Sequence, residues 1–387
     1  MILPAMSRAE LPVPSAEAAQ HSAALVARIR HELERAGGWI EFARYLELAL
    51  YAPGLGYYSA GSVKLGAAGD FITAPELSRA FGGALAATLD AELAALGSLD
   101  VLELGAGSGA LAAHLLDAFA TIGRDIRYRI LEPSADLRER QQRALERFGA
   151  RVQWLDRLPE MPFAGAIVAN EVLDALPVAV FERHPHGAVA LGVVARGDGV
   201  GWGEPRAVPA VAAAVSALEE KLGHSLPTGY RSEICLALPA WLRALAASLD
   251  RGCVLFADYG LVRSEYYHEQ RVRGTLICHY RHRAHDDPFF YPGLQDITAW
   301  VDFSACADAA KEAGFTVGGF TTQGQYLLNV LAALPLERGL NLTSPREQSA
   351  LKTLVLPGEM GERFKVLLLR KGAAGPALPG RDFRHRL

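Results

Sequence analysis

Two carboxylates three residues apart, Glu171 and Asp174, follow the apolar run Ala166–Ala169 in the segment AIVANEVLDALPV (166–178). A run of that kind reads as a buried strand, and a strand gains nothing from ending in Asn170 and two acids unless they face something. Carboxylates so placed can hold a cation, clamp a planar guanidinium through paired hydrogen bonds, or take up a proton. A second group of acids surrounds the stretch LELGAGSGALAAHLL (102–116). Its glycines, Gly105, Gly107 and Gly109, sit between a strand and a helix, where they let the backbone turn tightly and approach a ligand. Glu103 lies inside that strand, two residues before the first glycine. Glu132 ends the following strand, 23 residues beyond Gly109, the place from which a carboxylate binds ribose hydroxyls.

The loop alone admits more than one nucleotide, because Ala110 completes the relaxed dinucleotide pattern. Glu103 favours one of them. A carboxylate beneath the loop repels a pyrophosphate but suits a ligand with no phosphates and a positive charge. S-adenosylmethionine, with its adenosine, sulfonium and ammonium, is such a ligand, and the Glu-x-Gly-x-Gly-x-Gly form resembles the cofactor loop of class I methyltransferases.

The elements that must position these groups follow from periodicity. Residues 17–50 carry helical spacing broken at Gly37–Gly38, residues 51–75 read as loop, and a helix is predicted from about Glu76 to Leu96. From Leu99 short apolar strands alternate with helices, which predicts a parallel, doubly wound α/β sheet. Ligands of such sheets bind beyond the carboxyl ends of the strands, so Asn170 and Glu171 are expected beside the glycine loop. The alternation pauses after Val178 and resumes at GCVLFADYG (252–260), so residues 179–250 are read as an inserted α+β cap. A polar loop (263–300), a helix, a strand, further helices and a last strand (364–369) follow, and the Gly/Pro-rich tail from Gly372 is expected to be flexible. This divides the chain into an N-terminal helical extension with a donor-covering loop (1–96), a core (97–178 and 251–372), the cap (179–250) and the tail (373–387).

Net charge is −4, which gives no reason to expect nucleic acid or an anionic membrane as partner. No run reaches about 18 apolar residues, so no membrane span is expected. The four cysteines form no CxxC pair, which suits a reducing compartment. The first residues, MILPAMSRAELPVPS, carry no signal-peptide pattern, and the expected location is the cytoplasm.

Segments along almost the whole chain resemble the MidA-like family, which includes a mitochondrial complex I assembly factor that methylates an arginine. They are GYYS with Tyr57–Tyr58, GDFITAPELSRAFG (69–82), ELGAGSGAL (103–111), NEVLDALPV (170–178), FADYG (256–260), GTLICHYRHRAHDDPFFYPGLQDITAWVDF (274–303) and LPGEMGERFKVL (356–367). The resemblance implies a Rossmann-like class I methyltransferase fold, S-adenosylmethionine as donor and a protein arginine as acceptor. In that frame Asp70 and Phe71 would fold over the donor, and Thr73 or the turn after it would cap the next helix.

Arginine arrives protonated, so an acceptor site for it needs carboxylates to fix the guanidinium and accept the proton. Glu171 and Asp174 are the first candidates. Asp258 ends its strand as Glu171 does, and is expected to face the same crevice; Glu233, in YRSEIC, is a further partner. His279, His282 and His285 have a metal-like spacing, but Pro288, Pro292 and Gly293 favour a loop, so no metal is expected and His285 with Asp286 is read as a substrate contact. Met360 is expected in the core. A homodimer is compatible with this picture. Two other classes stay open: an assembly factor that binds the donor and acts by docking a partner, and an NAD(P)-dependent oxidoreductase.

Overall fold

The computed structural model describes residues 11–59, 72–334 and 344–387. Its centre is a sheet of seven main strands: β1 (Asp100–Leu104), β2 (Arg127–Leu131), β3 (Val152–Leu155), β4 (Phe163–Asn170), β5 (Leu249–Leu261), β6 (Thr316–Thr322) and β7 (Phe364–Lys371). Their order is β6–β7–β5–β4–β1–β2–β3, with Val301–Asp302 added alongside the end of β5. Strands β1 to β5 are parallel neighbours, and the order reverses between β1 and β4. The runs in β4 and β5 are apolar because helices cover both faces. Helices Arg79–Leu96, Ala110–Thr121 and Gln323–Ala333 pack on one side, and Leu238–Ser248 and Phe303–Glu312 on the other.

The expected all-parallel sheet needs one correction. β7 runs antiparallel to both β5 and β6, and is wedged between them. A strand buried on both faces shows no direction in its sequence, so FKVLLL gave no sign of this.

The predicted cap is also divided differently. Ala179–His184, Gly187–Arg196, Gly199–Trp202 and Arg231–Ile234 form an antiparallel sheet, which gains a strand, Ile40–Glu41, from the N-terminal region. Helices Ala16–Arg35 and Phe42–Tyr51 flank that strand and pack on the same sheet. Helix Leu238–Ser248, placed in the cap by sequence, packs instead on the main sheet and leads into β5.

Two segments read as irregular are built. Within 263–300, Ile277–Tyr280 pairs with both Arg283–His285 and Asp296–Thr298 in a three-stranded sheet. Its hairpin turns through Arg281 and His282 at φ 47 and 60, the left-handed conformation that two-residue hairpins require. The tail is not loose either. Arg370, paired with Glu92 at 2.5 and 2.9 Å, also donates to the Pro376 carbonyl; Leu378 is buried, and Phe383 N–H bonds Phe320 O at 2.8 Å.

Candidate active site

The C-terminal ends of β1, β2, β4 and β5 open into a cleft of about 1150 Å³. On the β1–β2 side, Gly105, Gly107 and Gly109 have φ of 61, 54 and 83, so the loop relies on a backbone form that costs other residues about 1–2 kcal/mol each. Gly109 caps helix Ala110–Thr121. Glu103 lies under this loop, 2 % exposed, and accepts the Tyr128 hydroxyl at 2.7 Å. Burial pushes its carboxyl up to about 8, with Tyr128 opposing.

Glu132 is held by Ser134 N–H at 3.0 Å and by Gln141 Nε2 at 2.9 Å. Gln141 also donates to Gly107 O at 3.0 Å and accepts from Trp154 Nε1 at 3.0 Å. One buried amide thus ties the glycine loop to the acid after β2. Each oxygen of Glu132 keeps a lone pair for a ribose hydroxyl. Burial raises this carboxyl too.

Thr73 and Pro75 line the cleft from the opposite wall, where Thr73 forms a capping box with Glu76. The predicted single helix is split here: Ala74–Leu77 ends at the extended Ser78, and Arg79–Leu96 begins anew. Asp70 and Phe71, expected over the donor, lie outside the described residues.

A second group of acids lines the β4–β5 side. Glu171 adopts φ 52, rare for a residue with a side chain and a conformation that accumulates at functional sites. It is fixed by its N–H to Ala257 O at 2.9 Å and receives Asn170 Nδ2 at 3.0 Å. Burial, then Asp174, pushes its carboxyl up to about 8. Asp174 is 7 % exposed and raised to about 6 by burial, and among the described residues its Oδ1 has no hydrogen-bond partner. Tyr259 hydrogen-bonds this carboxylate.

Asp296, which sequence reasoning passed over, completes the group. It stands on the first residue of Asp296–Thr298, lines the cleft and accepts the Tyr58 hydroxyl at 2.8 Å. Ala299 N–H reaches Asp174 O at 3.5 Å, holding that strand to the Asp174 loop. The sequence clue is an acid in QDITAW directly before the short β-prone run Ile297–Thr298.

Asp258 and Glu233 do not line the cleft. Asp258 Oδ2 accepts the N–H groups of Val172, Leu173 and Asp174 at 3.1, 2.9 and 3.4 Å, and Oδ1 accepts Tyr259 N–H at 2.9 Å. Its carboxylate is used up in shaping the turn that carries Glu171 and Asp174. Burial, then Asp174 and Glu171, raises it well above the usual range. Glu233 accepts Thr275 N–H, Thr275 Oγ1 and Leu276 N–H at 2.9, 3.2 and 3.3 Å. Gly274 permits this approach, since a Cβ there would collide with the Glu233 carboxylate. Both acids are therefore positioning residues.

His285 lines the cleft with its Nε2 buried and unpartnered, while Nδ1 accepts Asp287 N–H at 3.3 Å. His279 lines it as well, and burial, then His285, lowers its ring to about 4. His282 sits in the hairpin turn, away from the cleft lining. Met360 packs on the core and also reaches the cleft wall.

The β1–β2 side fits S-adenosylmethionine: a loop open to a nucleoside, a carboxyl group with lone pairs for the ribose hydroxyls, and a buried acid, Glu103, that a cationic group would ionise. A family model of S-adenosyl-L-methionine-dependent methyltransferases matches residues 84–321. The mitochondrial protein arginine methyltransferase NDUFAF7 of Danio rerio is 28 % identical over 368 residues, covering 85 % of this chain and 83 % of that protein. Its counterpart in Homo sapiens is also 28 % identical over 368 residues, covering 86 % and 80 %. The crystal structure of a Burkholderia thailandensis protein bound to S-adenosyl-homocysteine is 42 % identical, with a TM-score of 0.88, and covers 98 % of this chain and all of that one. The methyl donor is thus S-adenosylmethionine, and the chain belongs to the family of S-adenosyl-L-methionine-dependent methyltransferases.

Proposed function

We propose that the acceptor is an arginine side chain of a protein. What carries the reading is the convergence of Glu171, Asp174 and Asp296 on one cleft, with Tyr58, Tyr259 and Asn170 each holding one of them. The NDUFAF7 relatives, named for arginine methylation, support it.

The donor supplies an electrophilic methyl carbon on a sulfonium. Glu103 and Glu132 hold its cationic and ribose ends, leaving the acids on β4 to orient the acceptor. At pH 7 Asp174, at about 6, is ionised, whereas Glu171, at about 8, keeps its proton until a cation arrives. A guanidinium entering between them ionises Glu171, and paired carboxylates then fix its planar fork. Fixing the fork aims one nitrogen along the line of displacement, the effect from which an enzyme gains most in such a reaction. Methylation leaves that nitrogen with a proton to lose, and Asp174 Oδ1, with no other partner, accepts it.

Incubation of arginine-bearing proteins with radiolabelled donor, acid hydrolysis and chromatography of the products tests this. Methylarginine is the expected label; label only on lysine or on oxygen overturns the reading. Glu171→Gln is expected to lose about a hundredfold or more in turnover while S-adenosyl-homocysteine binding stays intact.

A further inference from the structure

Among the described residues, other interior guanidinium groups have a carboxylate beside them: Arg370 has Glu92, Arg263 has Asp308, Arg183 has Glu219, and Arg129, whose Nε and Nη2 make no hydrogen bond, has Asp100 at 3.6 Å. Arg271 is different. It lines the cleft, and among the described residues its buried Nε has no hydrogen-bond partner and no carboxylate lies within ion-pair distance. A buried charged donor without an acceptor costs free energy in the empty protein, so the site is complete only when a ligand supplies one. Arg363 lines the same cleft, also without an ion pair among the described residues.

Both arginines lie on the acceptor side. Asp174 is bonded by Tyr259, whose ring lies 6.4 Å from Trp300 and 5.4 Å from Phe364. The Arg271 guanidinium sits 5.7 Å from the Trp300 ring centre, and Arg363 precedes Phe364 in the chain. Glu103, the glycine loop and Glu132 belong to β1 and β2, across β4 from these groups. The carboxylate of the donor's own amino acid is therefore not what Arg271 awaits.

We propose that Arg271, with Arg363 on the same wall, binds a carboxylate of the acceptor, so that the substrate class is an arginine flanked by an acidic residue. This rests on the arginine reading above. Acids hold the guanidinium at one end, and the two arginines hold the neighbouring carboxylate at the other. Both ends are held in one cleft, so the acid is a near neighbour of the methylated arginine along the acceptor chain. Basic flanks meet like charge at Arg271 and are rejected, so the wall selects as well as binds.

Synthetic peptides with one arginine and either glutamate, glutamine or lysine at each of the nearby positions test the proposal by methyl transfer from labelled donor. Glutamate at the matching position is expected to raise kcat/KM about tenfold or more over glutamine, with lysine below both, and the advantage to shrink as salt is added. Arg271→Gln should erase the glutamate preference, and Arg271→Glu should turn it toward lysine, with S-adenosyl-homocysteine affinity unchanged in both. Arginine methylation indifferent to flanking charge overturns this inference alone, whereas no methylation of any arginine peptide or protein sinks the reading beneath it. Loss of S-adenosyl-homocysteine binding by a folded Arg271→Gln variant would assign the residue to the donor instead. Should that variant fail to fold, the peptide ranking and salt dependence of the unaltered enzyme decide the matter.

Discussion

Asp258→Asn separates a residue that shapes the site from one that performs chemistry. One oxygen of Asp258 accepts three backbone N–H groups and the other accepts a fourth. An amide offers one acceptor and one donor, so its better orientation keeps the three bonds and turns N–H against N–H at Tyr259. The lost bond and the stranded donor cost about 1–3 kcal/mol. The remaining three bonds lose their charge assistance, which adds to the cost. Removing a charge whose burial raises its carboxyl well above the usual range returns part of it. The net is about 2–3 kcal/mol, against a typical total of about 5–15, so the variant folds. The urea midpoint is expected to fall with an unchanged slope. The turn carrying Glu171 and Asp174 relaxes, and kcat drops about ten- to a hundredfold through misalignment. S-adenosyl-homocysteine affinity falls far less than kcat, because Glu132 and Gln141 hold the glycine loop from the other side and only Val172 of the relaxed turn lies against Gly105, and the shape of the pH–rate profile holds. A variant with full stability, dead turnover and a missing limb of the pH profile would refute this and return Asp258 to the chemistry. Unchanged stability and turnover together would refute it equally.

Glu132→Ala removes the carboxylate proposed to bind the ribose and should weaken S-adenosyl-homocysteine binding about ten- to a hundredfold by calorimetry, with turnover at saturating donor affected far less. Stability should fall as pH rises from about 6.5 to 8. Glu103 and Glu171, both raised to about 8, carry protons in the folded protein that the unfolded chain has already released, so their contribution is full at low pH and is lost as pH passes their folded values. That window avoids His114 and His279, lowered to about 4, which act in the opposite sense only below about 6.5. Urea midpoints across the window read the slope, and a midpoint that climbs would contradict the burial of the two acids.

The donor half was legible in sequence because its chemistry and its local structure coincide. Glycines at a strand–helix junction, an acid inside the first strand and another after the second are all placed by elements within one unit of about 30 residues. The proposed acceptor half was legible only at Glu171 and Asp174, because its lining comes from four distant places: Tyr58, Glu171 with Asp174, Asp296 and Arg271. Sequence marks an acid at a strand end but not whether it meets a ligand or backbone N–H groups. Asp258 and Glu171 end adjacent strands in similar words, and only the register of β4 on β5 shows that one turns inward to hold the other's loop. The segment 274–303 misled for a related reason. Its strands are two to four residues long, too short to carry a usable alternation, and the turn at Arg281–His282 contains no glycine.

The two halves are fastened in different ways, and this bears on how specificity is set. The donor side is built on the main sheet and locked by Gln141. The acceptor wall hangs from Glu233, which lies on the antiparallel sheet and grips Thr275 and Leu276; Thr275 Oγ1 in turn accepts Trp300 N–H at 3.1 Å. Trp300 carries the face against which Arg271 lies. A carboxylate outside the cleft thus sets the position of the ring and, through it, the arginine that would read the acceptor. Changes in the antiparallel sheet can therefore retune which flank is accepted without touching the methyl donor. A buried acid with several backbone bonds suits that task, because it admits one geometry and resists drift.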